Sequence, residues 1–288
     1  MWPILFMLLL VTITLIAYIF IYLKEQNNQH IEVNDVLLNS EELMNHGKEI
    51  ARLHSFKRKE DVKERLLYRL NRNFDDIEEI YLKLNKKVTN KRELPKASEW
   101  LLDNFYIIEI QYKRIKRSLE GEKKLKLNVL DNGFLREYPR VYSIALELIS
   151  HTDGILTEEN LMNFVRAYQT ESILSIKEIS SLSLMLTLAL MEHIRNMCKR
   201  VPEIDSSYVE YLLKRIKKEK EDSSLLIDRL EKRLNYIGTS VRDILEREYR
   251  KQASIRISIG NSIISLKSIS NFDWYTISPL IIVYNIFV

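Results

Sequence analysis

The amino-acid sequence predicts an all-α protein: an N-terminal transmembrane helix followed by a multi-helix bundle. Three observations carry that prediction. Residues 2–23 hold no charged side chain, apolar residues beyond position 60 recur at alternating steps of three and four, and the 288 residues include only six glycines and five prolines. A chain so poor in turn formers does not suit a β-sandwich or barrel, which needs a tight turn every ten or so residues. With 46% apolar and 29% charged residues it is also too apolar to be wholly disordered.

Trp2 to Leu23 is 22 residues, about 33 Å at the helical rise, enough to cross a hydrocarbon core of roughly 30 Å. Trp2, Tyr18 and Tyr22 suit the interfaces, and Pro3 stands where a missing N–H costs little. No basic region precedes the run and no small-residue cleavage site follows it, so it reads as an uncleaved anchor rather than a signal peptide. Lys24, Lys48, Arg52, Lys57 and Arg58 all follow the run and none precedes it. The positive-inside rule then places the body on the cytoplasmic side of the cell (inner) membrane.

Residues 24–58 are polar and loosely patterned, a juxtamembrane linker with room for one short helix. Val62, Leu66, Leu70, Phe74, Ile77, Tyr81, Leu84 and Val88 then form one stripe of a long helix. After Pro95, the residues Leu101, Phe105, Ile108, Tyr112, Ile115 and Leu119 form a second stripe, and an antiparallel pair is the simplest outcome. Gly121–Gly133 reads as a loop. Pro139 suits the first position of a helix running to His151, with Gly154 as its stop and Thr157 as the next cap. Ser175-Ile-Lys-Glu178 is a capping box ahead of a helix through Met197, apolar on most faces from Leu182 to Met191 and hence central. Further helices are expected near 206–221, 223–236 and 239–257. The alternation Ile255-Arg-Ile-Ser-Ile259 adjoins a helical pattern, and no convincing strand appears.

The chemistry-bearing motifs are sparse. None of the five histidines forms HxxxH or HExxH, no glycine-rich phosphate loop or GxSxG occurs, and the lone Cys198 excludes a disulfide framework. His151 reads as a helix C-terminal histidine beside Glu147, one turn back, in preference to a metal ligand. Cys198 reads as a structural thiol, and the adjacent Asp75 and Asp76 as a solvated helix face rather than a spaced metal-binding pair. The chain's net charge is +4, yet residues 83–126 hold 13 Lys and Arg against 6 Asp and Glu. That stretch is a solvated face or a docking surface for anionic lipid; nucleic acid is the weaker candidate, because the basic residues are not organised around stacking aromatics.

Several blocks carry something more specific: Ala97-Ser-Glu-Trp-Leu-Leu-Asp-Asn-Phe-Tyr-Ile-Ile-Glu-Ile-Gln111, Tyr138-Pro-Arg-Val-Tyr142, Ala145-Leu-Glu-Leu-Ile149 and His151-Thr-Asp-Gly154. They continue with Phe164-Val-Arg-Ala-Tyr-Gln169, Leu186-Thr-Leu-Ala-Leu190, Glu192-His-Ile-Arg195, Ser258-Ile-Gly-Asn-Ser262 and Asn271-Phe-Asp-Trp274. Over residues 95–275 the chain resembles, block by block and in order, the N-terminal region of bacterial cyclic β-1,2-glucan synthases. The resemblance implies a helical region preceding a UDP-glucose-dependent glucosyltransferase domain and a phosphorylase-like domain. UDP-glucose and a divalent metal are implied only for that transferase, and the downstream synthase domains are the implied partners. No cofactor, metal or nucleic acid is expected on this chain.

The expected division is an anchor (1–23), a linker (24–58), a helical domain of glucan-synthase type (59–275) and an apolar tail (276–288). The stop at Val288 reads as a truncation, a frameshift or a fragment. The family-motif residues are Trp100, Asp103, Asn104, Pro139, Arg140, Glu147, His151, Asp153, Arg166, Gln169, Glu192, Arg195, Gly260, Asn261, Asp273 and Trp274. They are expected to be structural or to contact a following domain, with no catalytic residue among them. Trp100, Phe105 and Tyr106 read as helix core, and Gly260-Asn261 as a helix boundary. A stand-alone membrane-tethered scaffold that binds a partner protein or anionic lipid is the alternative.

Overall fold

The computed structural model describes residues 36–89, 94, 96–203 and 241–287. Its helices, in chain order, are α1 (Ser40–Leu53), α2 (Lys63–Thr89), α3 (Lys96–Gly121), α4 (Arg140–His151), α5 (Glu158–Gln169), α6 (Ile176–Ser180), α7 (Leu182–Glu203), α8 (Val241–Ser268) and α9 (Trp274–Phe287). Strands β1 (Phe56–Asp61) and β2 (Lys126–Leu130) pair antiparallel. The mostly helical class therefore stands, and the transmembrane part of the prediction is corrected. Among the described residues no helix is long and apolar enough to cross a membrane. The long helices are striped with charge, and the uncharged start of α7, Leu182–Met191, is about half of what a bilayer requires. Residues 1–23, where the anchor was expected, and the helices expected at 206–221 and 223–236 lie outside the described residues.

The predicted stripe of α2 is buried at Val62, Leu66, Leu70, Phe74, Ile77 and Leu84. Phe74 stacks on Tyr112 at 4.0 Å and Tyr81 on Phe105 at 4.0 Å. The partners descend along α3 as they ascend along α2, so the pair is antiparallel, as the two stripes predict. The centre of the fold is α7, which packs against α2, α3, α4 and α8. Its residues Leu182, Met185, Leu186 and Leu188 to Ile194 are all buried. Each such aliphatic side chain contributes about 1.5–3 kcal/mol when removed from water.

Three local expectations change, and the short helix allowed for in the polar stretch 24–58 is α1. It is opened by a capping box in which the Asn39 side chain accepts from Glu42 N–H at 3.0 Å and the Glu42 carboxylate accepts from Asn39 N–H at 2.9 Å. Helix α1 packs on α5. At Gly47 an added Cβ would lie 3.1 Å from the Phe164 carbonyl oxygen, so any side chain there would crowd the two helices and force them apart by a few tenths of an ångström. The loop 121–133 contains β2, which shows a strand's alternation only over Leu127-Asn128-Val129, while β1 is almost entirely charged. The helix expected from Ser175 to Met197 is broken: α6 ends at Ser180 and α7 begins at Leu182. The Ser180 and Ser181 hydroxyls both donate to Lys177 C=O, at 3.0 and 2.7 Å, and compete with the helical ladder. Finally, Ile255–Ile259 and Gly260-Asn261 lie inside α8, so Gly260-Asn261 is not a helix boundary.

The apolar tail forms α9, which packs on α5 and α6 with Ile277 and Ile281 buried. Asp273 precedes it and accepts from Thr276 N–H at 3.2 Å, the N-terminal cap that starts the helix.

Candidate functional site

Helix α2 carries a second ridge beside its apolar stripe: Arg69, Asn73 and Asp76, spaced four and three apart. It faces Glu192, Arg195 and Lys199 on α7. Arg69 grips Glu192 with both forks, at 2.6 and 2.5 Å, and Asn73 and the Tyr142 hydroxyl donate to the same carboxylate at 3.3 and 2.5 Å. Asp76 accepts from Arg195 at 2.6 Å and Lys199 at 2.8 Å. The pairings ascend in both helices, so α2 and α7 run parallel along a polar seam. Burial pushes Glu192 upward, but the Arg69 charge and its hydrogen bonds prevail and hold the carboxyl below its ordinary range. Asp76 is likewise lowered: burial opposes, and Lys199 and Arg195 outweigh it. Asp76 is thus no solvated face, and it is not available as a metal-binding carboxylate for a nucleotide sugar.

A second pair sits at the start of α4. Pro139 is the residue before the helix, and Arg140 is its first residue. Arg140 is 1% exposed, and it bonds Glu178 at 2.6 and 2.9 Å, the Ser172 hydroxyl at 2.9 Å and the Ile173 carbonyl at 2.7 Å. Glu178 also closes the predicted capping box, accepting from Ser175 N–H at 2.8 Å and from its hydroxyl at 2.7 Å. Each guanidinium nitrogen and each carboxylate oxygen of this buried charge pair has at least one partner, which is the condition under which such a pair persists.

The third cluster forms where α4 ends. Glu147 and His151 are one turn apart, and α1 brings His46 to them. His46 Nε2 is 2.9 Å and His151 Nε2 is 3.5 Å from Glu147 Oε2. The His151 Nδ1 bonds the Val36 carbonyl at 2.8 Å. Burial pushes Glu147 upward, but hydrogen bonds from His151 and His46 bring it down to about 2. The Glu147 hydrogen bond raises His151, against burial. The same chain segment then turns through Asp153 and Gly154, both with positive φ, and docks on a stripe of serines on α8. Ser258 donates to Asp153, Asn261 donates to the Asp153 carbonyl at 3.3 Å, and Ser265 donates to the Gly154 carbonyl at 2.7 Å. His193 Nδ1 bonds the Ser262 hydroxyl at 2.8 Å. Two blocks a hundred residues apart, His151–Gly154 and Ser258–Ser262, therefore meet each other.

The remaining motif residues are dispersed. Trp100 packs near Gly260, joining α3 to α8, and Asn104 donates back to the Trp100 carbonyl at 2.8 Å. Asp103 and Tyr106 are exposed, so Tyr106 is not core. Arg166 is half-buried, and among the described residues its Nε has no hydrogen bond. Gln169 donates to the Ile281 carbonyl at 3.3 Å, tying α5 to α9. Trp274 Nε1 donates to the Ile269 carbonyl at 3.0 Å. Cys198 is free and buried, and burial pushes its thiol up, away from nucleophilic use. Sequence reasoning missed Arg69, His46 and the partner role of Asp76. Arg69 and Asp76 had a signal, a polar ridge in step with the apolar stripe. His46 had none, because 101 residues separate it from Glu147.

These clusters define a helical body whose motif blocks face one another across its helix contacts. The chain is 25% identical over 238 residues to the cyclic beta-(1,2)-glucan synthase NdvB of Rhizobium meliloti (strain 1021), a curated relative. The resemblance read from the ordered blocks is thus matched by similarity over 70% of the chain. The chain spans only 8% of that synthase's length. No protein-family model matches the chain.

Proposed function

We propose that this chain is the helical N-terminal region of a cyclic β-1,2-glucan synthase-like glucosyltransferase. In this reading it is a non-catalytic body that supports a transferase lying outside its residues. UDP-glucose and the divalent metal belong to that transferase, and the downstream synthase domains are the body's partners. The observation that carries the reading is the similarity of 238 residues to a synthase of which they are only 8%. The placement of the motif blocks supports it. Arg140, Glu192 and Arg195 are engaged by Glu178, Arg69 and Asp76, so the blocks hold helices together. Sequencing the source DNA past codon 288 in all three forward frames tests it. A frame that continues into a transferase domain with a spaced carboxylate pair is the expected result, and its absence from all three frames defeats the proposal.

A further inference from the structure

We propose that His46, Glu147 and His151 form a binding site for one divalent transition-metal ion of the zinc class. The three ligand atoms, His46 Nε2, Glu147 Oε2 and His151 Nε2, all lie within 4.8 Å of one another, with 2.9 and 3.5 Å from the imidazole nitrogens to the carboxylate oxygen. A tetrahedral ion about 2.0–2.1 Å from each atom would hold them about 3.3 Å apart, so shifts of up to about 0.8 Å in each imidazole suffice. The rings of His46 and His151 meet edge to face, with centroids 4.4 Å apart and an interplanar angle of 73°, and both Nε2 atoms approach the same Glu147 oxygen.

Two further features fit a ligand set. The His151 Nδ1–H donates to the Val36 carbonyl at 2.8 Å, which orients the ring and leaves Nε2 for the ion. The site is also reachable, with the His46 side chain 23% and the Glu147 side chain 27% exposed, so a fourth position can be filled by water. Two imidazoles and one carboxylate suit zinc or cobalt, whereas magnesium and calcium prefer sets made of oxygen alone. The ligands come from α1 and α4, and Leu38 N–H also bonds the His151 carbonyl at 3.1 Å. A bound ion therefore staples α1 and residues 36–38 onto the end of α4. This inference does not depend on the glucan-synthase reading.

The experiment uses the full chain, stripped of metal with a chelator and titrated with Zn2+ by calorimetry and with Co2+ by visible absorption. One equivalent should bind, with the Co2+ d–d bands of a four- or five-coordinate site and a melting temperature that rises with metal concentration. His46→Gln and His151→Gln should each weaken binding by more than about a hundredfold, since loss of an outer partner alone typically costs 10–100-fold. No binding by the wild-type chain, or binding that persists in both variants, overturns the site. If a variant does not fold, as read by circular dichroism, X-ray absorption at the zinc edge of the wild-type chain decides. Two imidazoles plus oxygen donors support the site, and any other shell overturns it.

Discussion

At the scale of single residues, stability depends on charges that cannot be left alone. Arg140 and Glu178 have side chains only 2% and 0% exposed, and each supplies two of the other's hydrogen bonds. Burial opposes ionisation of Glu178, and Arg140 outweighs it, so the carboxyl stays below its ordinary range. Arg140→Ala would leave an uncompensated buried carboxylate and should destabilise the protein by about 3–5 kcal/mol. The check is a urea unfolding curve whose midpoint falls while its slope is unchanged. Replacing both partners with methionine should recover part of that loss, because the desolvation cost leaves with the charges. By contrast the surface pair Arg52–Glu171, with side chains 63% and 29% exposed, is screened by water and salt and should contribute little to stability. His54 shows the opposite treatment of charge: burial lowers it to about 4, so it stays neutral between the Tyr168 and Ser143 hydroxyls.

At the scale of elements, the apolar periods made the long helices legible. The stripes of α2 and α3 predicted both helices and their antiparallel contact, because a helix buries a face that its own sequence marks. The capping residues Thr157 and Ser175 were legible for the same local reason. What failed was non-local. Strand β1 exists because β2 pairs with it, and its charged sequence marks no buried face. The α6–α7 break depends on serine hydroxyls that a helical pattern tolerates. The α4–α5 turn rests on Gly154, whose φ is +73° and where a Cβ would stand 2.2 Å from the Ser262 hydroxyl oxygen. Gly154→Ala should cost about 1–2 kcal/mol for the left-handed backbone alone, and more for the overlap with α8. A thermal melt should show a fall of at least about 3 °C; an unchanged melting temperature would mean that this turn is not docked on α8 as described.

At the scale of the molecule, the ordered blocks resemble those of a glucan synthase, and their meeting places give that order a physical sense. His151–Gly154 touches Ser258–Ser262, Glu192 and Tyr142 share a hydrogen bond, and Gln169 reaches α9. Polar residues spread through the chain thus act as inter-helix contacts, which a single sequence cannot reveal because each partner lies from about forty to more than a hundred residues away. The central claim is that this body serves glucosyl transfer without performing it. The most direct measurement is incorporation of labelled glucose from UDP-glucose into β-1,2-glucan by two purified proteins, the 288-residue chain and the product of its reading frame continued past codon 288. The account predicts glucan from the continued product and none from the chain alone. Glucan made by the chain alone, or none made by the continued product, would contradict it.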